Sequence, residues 1–84
     1  MISREKPVLG VDIGGSKILA VLFSPGWQVL AREERATDVE EGVDAVIERV
    51  EATIADILSS AEMPPTSLAG IGIACAGGVD TRSG

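Results

Sequence analysis

The residues best equipped for chemistry stand close together in G-V-D-I-G-G-S-K, Gly10 to Lys17. Gly14 and Gly15 lack Cβ atoms, so their amides can approach an anion closely and can adopt positive φ. Successive amides in such a turn form an anion-binding concavity. The Ser16 hydroxyl can donate to a phosphate oxygen, and Lys17 adds a compact positive charge. Asp12 ends an otherwise apolar run, and a carboxylate placed there beside bound phosphates faces a hydrated Mg²⁺ most naturally. The same residues also suit a plain hairpin: Gly-Gly fits any tight turn, and a strand-end Asp can cap one.

The stretch is not a Walker A loop, although Gly10 and Gly15 have its spacing. That loop places Lys before the hydroxyl residue and opens a helix immediately. Here Ser16 precedes Lys17, and the I-L-A-V-L-F that follows has the apolar, β-branched character of a strand. A dinucleotide fingerprint fails as well. In G-I-G-I-A-C-A-G, Cys75 occupies the place of the third glycine, and the helix precedes the segment instead of following it.

The elements that must position these residues follow from short-range patterning. Val8 to Ile13 and Ile18 to Phe23 read as strands buried on both faces. Ser24-Pro25-Gly26-Trp27 is a hairpin turn, and the half-polar alternation from Gln28 to Glu33 suits a third strand near the sheet edge. Thr37 and Glu40 have capping-box spacing. Val43, Val46, Ile47, Val50, Ile54, Ile57 and Leu58 then form one helical face, with Glu40, Glu41 and Asp44 in the first turn, where the dipole favours negative charge. Pro64 and Pro65 end the helix. A fourth strand spans Leu68 to Cys75, where Cys75 is expected to be a small buried hydrophobe.

Bulk properties narrow the classes. The 84 residues amount to one domain at most. A net charge of −6 argues against a nucleic-acid surface, which needs clustered Lys and Arg. The acidic residues between Glu33 and Glu62 read as a solvated helix face. One cysteine and no histidine exclude an intrachain disulfide and a His/Cys metal cage, and point to a reducing compartment. Neither a signal peptide nor a membrane span is expected, so the expected setting is cytoplasmic.

L-G-V-D-I-G-G-S-K-I-L-A-V-L-F resembles the phosphate-binding opening of the ROK family of sugar kinases and sugar-responsive repressors, a branch of the actin-like ATPases. After the helix, L-A-G-I-G-I-A-C-A-G-G-V-D-T-R-S-G resembles the family's G-I-G-[IV]-x-x-P-G-P-V-D-x-x-x-G segment. The resemblance covers nearly the whole chain. It implies an α/β, RNase H-like domain that is incomplete within residues 1–84: a three-stranded antiparallel meander, a helix, and a fourth strand parallel to the first. The helix covers one face of that sheet. The other face and the fourth strand's edge are left open, which invites a homodimer or swapped assembly.

The resemblance also assigns roles. It places Asp12 near the metal and phosphates, by way of water on Mg²⁺, and gives Gly14, Gly15, Ser16 and Lys17 the terminal phosphates of ATP. It puts Gly77 and Gly78 beside the hydroxyls of a sugar substrate. Ala76 and Gly78 replace the prolines of the family's P-G-P, which loosens that turn. The family's catalytic Asp lies in a downstream G-N-D motif, so no catalytic residue is expected within these 84 residues. The parent protein is expected to be an ATP-dependent hexose or N-acetylhexosamine kinase, since only eleven residues precede Asp12, too few for a DNA-binding domain. The other reading is a non-catalytic, sugar-sensing regulator.

Overall fold

The structure is a computed structural model that describes residues 6–75. Strands β1 (Val8–Ile13), β2 (Lys17–Phe23) and β3 (Val29–Ala36) are followed by helix α1 (Val43–Ser60) and strand β4 (Gly70–Cys75). The sheet order is β3-β2-β1-β4. β1 and β2 pair antiparallel with Ile13 opposite Ile18, and β2 and β3 pair antiparallel with Lys17 opposite Ala36. The crossover through α1 brings β4 parallel to β1, with Val11 beside Ile73, as a helical connection between same-sheet strands requires.

Strand alternation divides the sheet into two unlike faces. Leu9, Val11, Ile18, Ala20 and Leu22 point toward α1 and are buried with Val50, Ile57 and Leu58. The opposite face carries Val8, Gly10, Leu19, Val21 and Phe23, which stay half-buried, and Asp12, which is exposed. β1 and β2 are therefore buried on one face, not on both, because among the described residues α1, with Met63 and Leu68 after it, packs against that face. Gly10, Asp12, Leu19, Phe23, Gly72 and Ala74 line a trough of about 400 Å³ on the uncovered face.

Two further expectations are corrected. Thr37 and Glu40 form no capping box. A single 3-10 turn (Val39–Glu41) precedes Gly42, whose φ of +100° separates it from α1, and neither helix start has a side-chain cap. Glycine tolerates that φ where other residues would be strained. The face proposed for α1 also narrows at its start, with Val43 73% and Ile47 50% exposed, because the contact with the sheet lies further along the helix. Thr53 joins the buried stripe instead, its Oγ1 donating to the Arg49 carbonyl at 2.7 Å.

Cys75 is exposed, not buried. All of β4 is exposed, Ile71 and Ile73 included, although its register places them on the face that α1 covers. The helix packs over β2 and β3 and reaches β1 only marginally, so the edge strand gains no cover. At the β2–β3 turn, the Trp27 amide donates to the Ser24 carbonyl at 2.9 Å, and positive φ falls on Trp27 at +68°. The Trp27 ring lies 6.0 Å from that of Phe23, a contact that helps offset the backbone strain.

Candidate functional site

The β1–β2 turn, the end of β1 and the start of β2 come together at one end of the uncovered face. Asp12 lies opposite Leu19 in the hairpin register, and Lys17 precedes Leu19 by two positions, so period-two alternation places Asp12 and Lys17 on the same face. Among the described residues the Asp12 carboxylate has no hydrogen-bond or ion-pair partner. It does not cap the turn, which removes the plain structural role for it.

The two glycines have different duties. The Gly14 amide donates to the Lys17 carbonyl at 2.9 Å, and a Cβ on Gly14 would stand 3.1 Å from that same oxygen. Its nitrogen is therefore committed to the hairpin, contrary to the expectation that both glycine amides stand bare. A Cβ on Gly15 would meet nothing within 4 Å among the described residues. The Gly15 amide has no carbonyl partner among the described residues, and neither glycine has the left-handed φ that the sequence allowed them. Nothing in the surrounding packing demands a glycine at position 15, yet open space there is what an approaching anion needs.

This contrast is measurable by thermal unfolding. Gly14→Ala is expected to cost about 1–3 kcal/mol, because its methyl group would press on the Lys17 carbonyl oxygen that the Gly14 amide itself holds. Gly15→Ala should stay within about 0.5 kcal/mol of the parent. Equal losses from both substitutions would contradict the division of roles.

Lys17 Nζ lies 3.4 Å from Glu34 Oε2, with both side chains well exposed. A surface pair of this kind contributes about 0–1 kcal/mol, so the ammonium can be redirected to an anion at small cost. Ser16 is exposed, and its hydroxyl has no partner among the described residues. Among those residues no three side chains cluster as metal ligands. A single free carboxylate nevertheless suits Mg²⁺, which keeps several waters and takes its other ligands from phosphates. The donor set and the open space over Gly15 thus fit an ATP–Mg²⁺ pair.

Sequence reasoning missed Thr37 as part of this site. The residue is fully buried; its Oγ1 donates to the Gly14 carbonyl at 2.9 Å and its amide to the Ser16 carbonyl at 3.0 Å. Arg49 Nη1 donates to the Thr37 carbonyl at 2.9 Å, and Arg49 also pairs with Glu41. The capping-box spacing drew Thr37 toward the helix, and no local signal ties it to a turn 23 positions earlier. Gly77 and Gly78 lie outside the described residues.

The sequence pattern of the ROK family matches residues 8–84. The chain is similar to a glucokinase of Thermotoga maritima, at 32% identity over 77 residues, which cover 92% of this chain and 23% of that protein. It is also similar to the crystal structure of a ROK family glucokinase from Streptomyces griseus in complex with glucose and AMPPNP. That match has a TM-score of 0.70 at 27% identity and covers 88% of this chain and 22% of the other. Component A of the Acidaminococcus fermentans (R)-2-hydroxyglutaryl-CoA dehydratase shares the fold alone, with a TM-score of 0.65 at 20% identity over 83% of this chain and 25% of the other. The mixed sheet with its helix is part of an RNase H-like, actin-like ATPase fold. The chain thus spans about a quarter of the length of these relatives. No helix among the described residues is long and apolar enough to cross a membrane.

Proposed function

This chain belongs to the ROK family, and on that footing we propose that it is the phosphate-holding part of a cytoplasmic sugar kinase that transfers a phosphoryl group from ATP to a hexose or N-acetylhexosamine. The observation that carries the proposal is the Asp12 carboxylate and, three residues on, the Gly15 amide, neither with a partner among the described residues. Two similar proteins, both glucokinases, support it.

In this reading the Gly15 amide, the Ser16 hydroxyl and the Lys17 ammonium hold the terminal phosphates, while Asp12 accepts hydrogen bonds from water on Mg²⁺. The metal, when bound, neutralises charge that builds on the transferring phosphate. Because phosphoryl transfer demands little covalent chemistry of the protein, holding and orienting are the main contributions such a loop can make. Gly77 and Gly78 are proposed to approach sugar hydroxyls through their backbone. The free β4 edge and the uncovered trough are proposed to associate with a second copy when the 84-residue chain stands alone.

Lys17→Ala in the intact protein tests the phosphate assignment. A hydrogen bond to a charged group contributes about 1.5–3 kcal/mol, so KM for ATP is expected to rise by about 10–100-fold. The melting temperature should hardly move, since the Glu34 pair is exposed. Unchanged ATP kinetics would remove Lys17 from the site.

A further inference from the structure

Two adjacent glycines give a loop bare amides, but they also leave the peptide between them free to rotate, since neither carries a Cβ to restrain it. A half-turn of that peptide would present the Gly14 carbonyl where the Gly15 N–H had been. An anion that meets the oxygen end of a peptide dipole is repelled. A loop of this composition therefore needs an outside restraint before it can serve as an anion site.

Thr37 supplies that restraint. From one fully buried position it holds both ends of the turn, its hydroxyl on the Gly14 carbonyl and its amide on the Ser16 carbonyl. The described residues contain no cis peptide, and in a trans peptide the C=O and the following N–H point in opposite directions. Turning the Gly14 carbonyl toward Thr37 therefore turns the Gly15 N–H away from it, and among the described residues no carbonyl meets that N–H. Thr37 is itself held: Arg49 donates to its carbonyl and to that of Asp38, at 2.9 and 3.4 Å, while Glu41 anchors the guanidinium.

We infer that Thr37 is a positioning residue that locks the Gly14–Gly15 peptide with its N–H toward the nucleotide phosphates, and that Arg49 braces it from α1. The inference rests on the phosphate-holding reading above. Preorganised donors bind more tightly because the ordering cost is met before the ligand arrives.

Thr37→Val keeps the side-chain shape and the amide bond to Ser16 but removes the hydroxyl. In the intact protein, calorimetric titration with the ATP analogue AMPPNP is expected to show about tenfold weaker binding, the scale of one such hydrogen bond. Thr37→Ser retains the donor and should bind within about twofold of the parent, since networks of this kind respond chiefly to loss of a partner. Thr53→Val is the control: it removes a buried hydroxyl bonded to the Arg49 carbonyl and not to the turn, so it should lower the melting temperature and leave AMPPNP affinity unchanged. If Thr37→Val does not fold, Arg49→Gln takes its place, with about threefold weaker AMPPNP binding expected from a loosened brace.

AMPPNP affinity in Thr37→Val, or in its substitute, no lower than in Thr53→Val would overturn the inference while Gly15→Ala still weakened binding. If Gly15→Ala and Lys17→Ala both left AMPPNP affinity unchanged, the phosphate-holding reading would itself have failed.

Discussion

Asp12→Asn in the intact protein is expected to lower kcat for ATP-dependent sugar phosphorylation by about two to three orders of magnitude, the usual loss when one preorganised electrostatic group is removed. Asparagine keeps the size of the side chain and discards its charge. In the proposed site that charge faces water on a hydrated Mg²⁺, where a neutral amide is a weaker acceptor. Asp12 is exposed and bonded to nothing among the described residues, so stability should change by no more than about 0.5 kcal/mol. Steady-state kinetics beside a thermal melt separates the two effects. A kcat close to that of the parent would take Asp12 out of the site, whatever happened to KM.

The largest loss of stability is expected from Ile57→Ala. Ile57 is fully buried where α1 meets the sheet, with Leu9, Ile18 and Leu22 in the same cluster. Truncating such a residue costs about 2–5 kcal/mol, from lost transfer energy and from the cavity left behind. Against a typical total of about 5–15 kcal/mol this is a large share. Denaturant unfolding should show a lower midpoint with an unchanged slope. A loss below about 1 kcal/mol would mean that the neighbours collapse into the space, and that the face under α1 is looser than its burial implies.

Much of the fold was legible because its signals are local. The apolar runs around Leu9 and Leu22, the breaks at Gly14–Gly15 and Pro25–Gly26, and the spacing of Val50, Ile54 and Ile57 each act over a few residues. They lead to the order strand, strand, strand, helix, strand, as observed, while the antiparallel meander and the parallel fourth strand, also observed, are what the family resemblance implies. The errors have a common origin. Periodicity reports which residues are able to face a core, not how far that core extends. Val43, Ile47 and Cys75 fit the pattern and are exposed because α1 runs over β2 and β3 and leaves β4 without cover.

In the candidate site, the sequence by itself determined the chemistry on offer: Asp12, Lys17 and the Ser16 hydroxyl, grouped around glycines whose bare backbone an anion can reach. Chain geometry made that possible, since a tight turn and a two-residue period put near neighbours on one face. Only the tertiary structure decided which donor is left over. It committed the Gly14 amide to the Lys17 carbonyl, left that of Gly15 without a carbonyl partner among the described residues, and brought the Thr37 hydroxyl from 23 positions away to donate to the Gly14 carbonyl. Hydrogen bonds between distant segments depend on how β3 and α1 dock, and docking is settled by packing over the whole sheet, which no local pattern encodes.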